Sequence, residues 1–156
     1  MKGLRFEDSG LSEAGPRGYH AELGIAVDAV VALYSGNMGE QQGLEILAQV
    51  AAIMRDVRNV VFVYCGSGAG RADLRVRCEG LPNIRFLDLQ PLERLGELLG
   101  MADIHLLPQR ADAADLVMPS KLTGMLASGR PVVAAAHMGT ELANVVDGCG
   151  IVVEPE

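Results

Sequence analysis

The chain has 156 residues, 49% hydrophobic and 21% charged, with a formal net charge of −7. That length suits one domain and leaves no room for a second full one, while the acidic balance argues against a general nucleic-acid surface, which needs clustered Lys and Arg. With no Trp and 4% aromatic residues, base stacking on aromatic rings is an improbable binding device, so small aliphatic side chains must build the core.

Residues 1–28 mix acidic, basic and glycine residues, with Gly10, Gly15, Pro16 and Gly18 breaking any rhythm. They read as a linker or interdomain segment, with a short helix over Arg17–Leu23 leading into a domain at 29–156. From Val30 onward, short apolar runs alternate with longer helical patterns, the mark of consecutive βα units. Strands are expected at Val30–Ser35, Val60–Cys65, Ile84–Leu87, Ile104–Leu107, Val132–Ala136 and Ile151–Val153.

Between them, Leu44, Leu47, Ala48, Ala51 and Met54 recur at helical spacing, as do Leu92, Leu95, Leu98, Leu99 and Ala102. Both sets read as core-facing stripes. Right-handed crossovers then give an α/β fold with a doubly wound, mostly parallel, six-stranded Rossmann-like sheet covered on both faces. Its ligand crevice lies at the carboxyl ends of the strands.

Three cysteines, Cys65, Cys78 and Cys149, are widely spaced and odd in number, which fits neither a disulfide framework nor a metal site. A reduced, cytoplasmic compartment is the expectation. No charged-then-apolar leader opens the chain, and no apolar run reaches the roughly 18–20 residues of a membrane span.

The loops after the strands carry the candidate chemistry. After the first strand, Gly36, Asn37 and Gly39 form a turn that either lets backbone N–H groups approach a phosphate or simply connects strand to helix tightly. The pattern is not GxGxxG, and no acidic residue closes the second strand to hold an adenosine ribose. After the second strand, Cys65-Gly66-Ser67-Gly68-Ala69-Gly70 reads first as a turn for close helix–strand packing and only second as a ligand contact.

Met118-Pro119-Ser120-Lys121 opens a helix, where Ser120 can cap and Lys121 stands at a locally unfavourable, cation-repelling end that invites an anion. His105 lies on an apolar strand and reads as structural; His137 follows a strand on the ligand side. Arg110, Asp112 and Asp115 make a polar loop, and Asp103 reads as a helix-to-strand turn residue.

The succession SGNMGEQQG, the GSG turn, NIRFLDLQP, ADIHLLP, MPSKLTGMLASGRPVVA and GTELANVV before CGIVVEP resembles the carboxyl-terminal domain of family 4 retaining glycosyltransferases. The resemblance runs from about Tyr19 to the end and is strongest to the bacterial exopolysaccharide branch, of the colanic-acid type. It implies one half of a GT-B fold that binds a nucleoside-diphosphate sugar without metal or other cofactor. It also implies an acceptor-binding amino-terminal domain elsewhere, a glycan or lipid-linked acceptor, and a cytoplasmic protein that meets the inner membrane peripherally through its full length. The isolated half would be inactive.

By this resemblance Gly36, Asn37, Gly39, Ser120, Lys121 and Glu141 match donor or diphosphate positions, with Gly66, Ser67, Pro119 and His137 as further contacts. No carboxylate stands out as a catalytic nucleophile. Two departures are plain: the first loop has Gln41 and Gln42 where many members carry Lys, and Leu116 and Gly124 stand where many carry glutamates. Two other readings stay open. One is a non-catalytic binding or regulatory module; the other is half of a sugar-nucleotide epimerase, which needs a carboxylate acid/base pair flanking the donor.

Overall fold

The computed structural model describes residues 18–39, 43–108, 122–136 and 138–154. Six strands form one sheet: β1 (Val30–Ser35), β2 (Val60–Cys65), β3 (Ile84–Leu87), β4 (Ile104–Leu107), β5 (Val132–Ala135) and β6 (Gly150–Val153). Every pairing is parallel, and the order is β3-β2-β1-β4-β5-β6. The observed β5 stops one residue short of the expected end and β6 begins one residue early, on Gly150. That glycine is required there, since a Cβ would lie 1.9 Å from the Val132 carbonyl oxygen.

The helices are α1, whose described part is residues 18–23, then α2 (Glu45–Ile53), α3 (Arg71–Arg77), α4 (Leu95–Met101), α5 (Leu122–Ala127) and α6 (Glu141–Asp147). A 3-10 turn, Leu92–Arg94, leads into α4. Because the chain moves one way across the sheet from β1 to β3 and the other way from β3 to β6, right-handed crossovers put α2 and α3 on one face and α4, α5 and α6 on the other.

Alternation along the strands then builds the core. Ala32, Tyr34, Phe62 and Tyr64 pack under Leu47, Ala48, Ala51 and Leu74 of α2 and α3. Val31, Leu33, Val63 and Cys65 meet Leu98 and Met101 of α4 together with Tyr19 and Ile25. Leu107, Val132 and Ala134 meet Met125 of α5 and Leu142, Ala143 and Val146 of α6. Tyr64 keeps its hydroxyl satisfied in this apolar setting by donating to the Leu47 carbonyl at 2.8 Å.

Three expectations change. Tyr19, in the stretch read as linker, is fully buried, and Ile25 is 6% exposed, so α1 packs onto the sheet beside α4. The apolar set entering α4 does not all face the core: Leu92 is 81% exposed and Leu95 39%, because the 3-10 turn rotates them away from the sheet. The sheet is also not covered evenly. Ile151 and Val153 are exposed on the side of β6 opposite α6, since no crossover helix among the described residues falls on that half-face.

Asp103 is more than a turn residue. Its Oδ2 accepts from the Val31 N–H at 2.8 Å while its own N–H donates to the Val31 carbonyl at 2.8 Å, pinning β4 to β1 at their amino ends. That pairing fixes the two strands whose carboxyl ends frame the crevice.

Candidate functional site

Strand order reverses between β1 and β4: the chain leaves β1 toward β2 over one face and β4 toward β5 over the other. The diverging connections leave a crevice at the carboxyl ends of these two strands, the usual ligand position in open parallel sheets. The loop after β1 forms one wall.

That loop is zipped to the loop after β2. Gly36 N–H donates to Cys65 O at 3.0 Å, Met38 N–H to Ser67 O at 2.9 Å and Gly70 N–H to Met38 O at 2.7 Å. A Cβ on Gly66 would lie 1.9 Å from Gly36 O, and one on Gly68 would lie 2.6 Å from Met38 O. The glycines after β2 therefore permit close backbone packing against the loop after β1.

The zipping also decides which atoms of the first loop remain available. The N–H groups of Gly36 and Met38 are committed internally, and the Met38 side chain is fully buried in the core. The Tyr34 hydroxyl donates to Asn37 O and holds the apex. Asn37 stays exposed and Gly39 half-buried.

Gly36, Asn37 and Gly39 are thus brought together with Gly66 and Ser67. Glu141 opens α6, after β5, on the same edge of the sheet, where Thr140 Oγ1 caps the helix by accepting from Ala143 N at 3.2 Å. Pro119, Ser120, Lys121 and His137 lie outside the described residues, as do Leu116, Arg110, Asp112, Asp115, Gln41 and Gln42 and the Glu141 side chain. Described helix α5 begins at Leu122.

Beside the end of β1, between α4 and α5, is a cleft of about 570 Å³ lined by Ser35, Gly36, Leu89, Gln90, Leu92, Leu95, Leu99, Gly124 and Met125. This size suits a small organic ligand. Two features of it escaped the sequence. Leu92 and Leu95 are cleft wall rather than core, and Gly124 opens the wall, since a Cβ there would touch Leu99 Cδ1 at 3.3 Å. The one hint in the sequence is Gln90, a lone amide set among Leu89, Pro91 and Leu92.

Described cations near this edge are engaged. Arg71, opening α3, meets Asp88 at 3.0 Å and lies over the Phe86 ring. Arg94 is held by Glu22 and Glu97, which lift its pKa, Glu22 most. Among the described residues no group of three or more His, Cys, Asp and Glu side chains is placed to hold a metal ion.

His105 is fully buried on β4. The Ser128 hydroxyl donates to Met125 O at 2.6 Å, so it can only accept from His105 Nε2, 3.0 Å away. The ring is therefore the Nε2–H tautomer, and its Nδ1 is buried without a hydrogen-bond partner among the described residues. Burial, with a smaller push from Arg130, lowers its pKa to about 4. It ties β4 to the end of α5 as a neutral structural group.

Residues 29–156 match the family model described as glycosyl transferases group 1. The chain belongs to that family. Among curated relatives of the family, it is 41% identical over 140 residues to the putative colanic acid biosynthesis glycosyl transferase WcaI of Escherichia coli K12, covering 86% of this chain and 34% of that protein. It is 33% identical over 143 residues to the D-inositol 3-phosphate glycosyltransferase of Corynebacterium diphtheriae, covering 85% and 32%. The chain thus spans about a third of the length of these relatives.

Among solved structures, Anabaena Alr3699/HepE in complex with UDP and glucose superposes with a TM-score of 0.69 at 18% identity, over 96% of this chain and 39% of that one. WaaG, a glycosyltransferase involved in lipopolysaccharide biosynthesis, gives 0.63 at 20% identity, over 89% and 37%. The six-stranded parallel sheet with flanking helices is the Rossmann-like half found in GT-B glycosyltransferases. No helix among the described residues is long and apolar enough to cross a membrane.

Proposed function

We propose that this chain is the donor-binding half of a retaining glycosyltransferase, holding a nucleoside-diphosphate sugar while another domain presents a glycan or lipid-linked acceptor. The observation that carries this reading is the juxtaposition at the strand-order reversal of a glycine loop, Gly36 to Gly39, with a cleft large enough for a nucleoside. Membership of the group 1 family and the UDP and glucose bound by the Anabaena neighbour support it.

In this reading the diphosphate lies at the mouth of the crevice, near Asn37 and Gly39, and Ser120 and Lys121 offset its charge before α5. Glu141 and His137 are assigned to the donor by the family resemblance alone. Transfer builds negative charge on the leaving diphosphate, and fixed positive groups stabilise it there without metal. The acceptor and the groups that act on it belong to the rest of the enzyme, so this chain binds donor and does not transfer. The likeness to a putative colanic acid biosynthesis glycosyl transferase supports a role in polysaccharide assembly.

The test is calorimetric titration with UDP, GDP, ADP and dTDP without added metal, with NAD as control and Lys121→Ala as a second protein. Selective binding of one diphosphate that Lys121→Ala weakens by about tenfold, the worth of one charge-assisted contact, supports the reading. Equal binding of NAD, or no diphosphate binding at millimolar concentration, rules it out.

A further inference from the structure

The cleft wall holds one side-chain amide, and its orientation follows from its partners. The carbonyl of Asp88 can only accept, so the atom of Gln90 that meets it at 2.8 Å is Nε2. Oε1 is then the atom that accepts from the Tyr19 hydroxyl at 2.9 Å. Tyr19 is itself immobilised: its ring is fully buried, with the Arg94 guanidinium 4.0 Å from the ring centroid. Glu22 and Glu97 grip that guanidinium from α1 and α4. Burial also holds the hydroxyl protonated, raising its pKa to about 12.

An amide fixed from both ends has lost the freedom that normally makes glutamine an adaptable contact. One Nε2–H and one Oε1 lone pair are left without a partner among the described residues, at the wall of a cleft whose other large side chains are four leucines and Met125. A ligand matched to that wall is flat and largely apolar, with a donor and an acceptor side by side on its edge. A sugar ring would leave its hydroxyls unpaired against the leucines, and an acyl chain would leave the amide unused.

We propose that Gln90 reads the heterocyclic base of the bound nucleotide, and that Tyr19 is the positioning residue that holds the amide in its reading orientation. This rests on the donor-binding reading above and adds to it a specificity determinant assembled in part by α1. Gln90 contacts the base; Tyr19 acts only through Gln90.

The experiment is titration of the parent chain, Gln90→Leu and Tyr19→Phe with UDP, GDP, ADP, dTDP and inorganic pyrophosphate, reading the ratio of nucleoside-diphosphate to pyrophosphate affinity in each protein. The parent should favour one nucleoside diphosphate over pyrophosphate. Gln90→Leu should lower that ratio by about tenfold, the worth of a lost hydrogen bond in a desolvated site, and Tyr19→Phe by a few-fold.

A merely structural role would weaken both ligands together and leave the ratio unchanged. An unchanged ratio in Gln90→Leu overturns this proposal and leaves the donor site standing, whereas a parent that binds no nucleoside diphosphate overturns both. Should Gln90→Leu not fold, Tyr19→Phe decides, since it keeps the ring under Arg94 and removes one hydroxyl; an unchanged ratio there overturns the proposal.

Discussion

A Cβ on Gly66 would lie 1.9 Å from the carbonyl oxygen of Gly36, with φ at Gly66 of 146°. The loops leaving β1 and β2 are therefore in direct backbone contact, and neither can move without the other. Gly66→Ala is expected to cost about 3 kcal/mol or more, combining a backbone clash with a conformation that L-residues avoid. Gly129→Ala separates the two effects, because Gly129 has φ of 76° but nothing among the described residues within 4 Å of its virtual Cβ. It should cost only about 1 kcal/mol, as loss of glycine's backbone freedom alone. Urea midpoints of the two variants check this; equal losses would mean that the loops separate freely.

His105 should make the protein acid-sensitive in a window set by its own pKa. Folded, it titrates at about 4; unfolded, near the ordinary 6.5. Between those values the unfolded chain binds the extra proton, so stability is intact above pH 6.5 and falls as pH drops toward 4. The full effect is on the order of 2 kcal/mol once partial solvation of the charged form is allowed for. Denaturation at pH 7 and pH 5 should show the drop, and His105→Asn should flatten it. A parent protein equally stable at both pH values would contradict the burial of a neutral ring.

Much of the fold was legible because its signals are periodic. Strands such as Val60–Cys65 are short apolar runs between turn residues, and their order along the chain implies a parallel, doubly wound sheet. The site was legible only in part. Glycines after β1 and β2 could be seen, but whether their amides faced a ligand or each other depended on a contact between Gly36 and Gly66, thirty residues apart, which no local pattern encodes.

Leu92 and Leu95 were misplaced for a related reason: apolar spacing looks the same whether the apolar face meets the sheet or walls a cleft, and a 3-10 entry shifts the phase. Tyr19 was hidden by its surroundings. A single aromatic residue amid polar sequence carries no period, and its partner Gln90 is 71 positions away.

Leu92 tests the distinction between core and cleft wall. At 81% exposure it contributes little to folding, and Leu92→Ser should change stability by less than about 0.5 kcal/mol. A core leucine such as Leu98, at 1% exposure on α4, should instead lose about 2–5 kcal/mol on replacement by alanine. If the cleft receives a nucleoside, Leu92→Ser weakens nucleotide binding a few-fold while the melting temperature stays put. Loss of stability without loss of binding would return Leu92 to the core.

Gly124 stands inside α5, where glycine is a poor helix former, yet among the described residues its virtual Cβ meets only Leu99 Cδ1, at 3.3 Å. That atom is the tip of a flexible side chain on the opposite cleft wall, so a few tenths of an ångström of movement relieves the contact. Gly124→Ala should therefore gain about 0.5–1 kcal/mol of stability from helix propensity, less a small cost for shifting Leu99. Gly96→Ala in α4 supplies the baseline, because no atom of the described residues lies within 4 Å of its virtual Cβ. The difference between the two gains measures how firmly Leu99 is held. If Gly124→Ala destabilises while Gly96→Ala does not, the wall is rigid and the opening at Gly124 is a fixed part of the cleft's shape; if both stabilise alike, the cleft can narrow around whatever it holds.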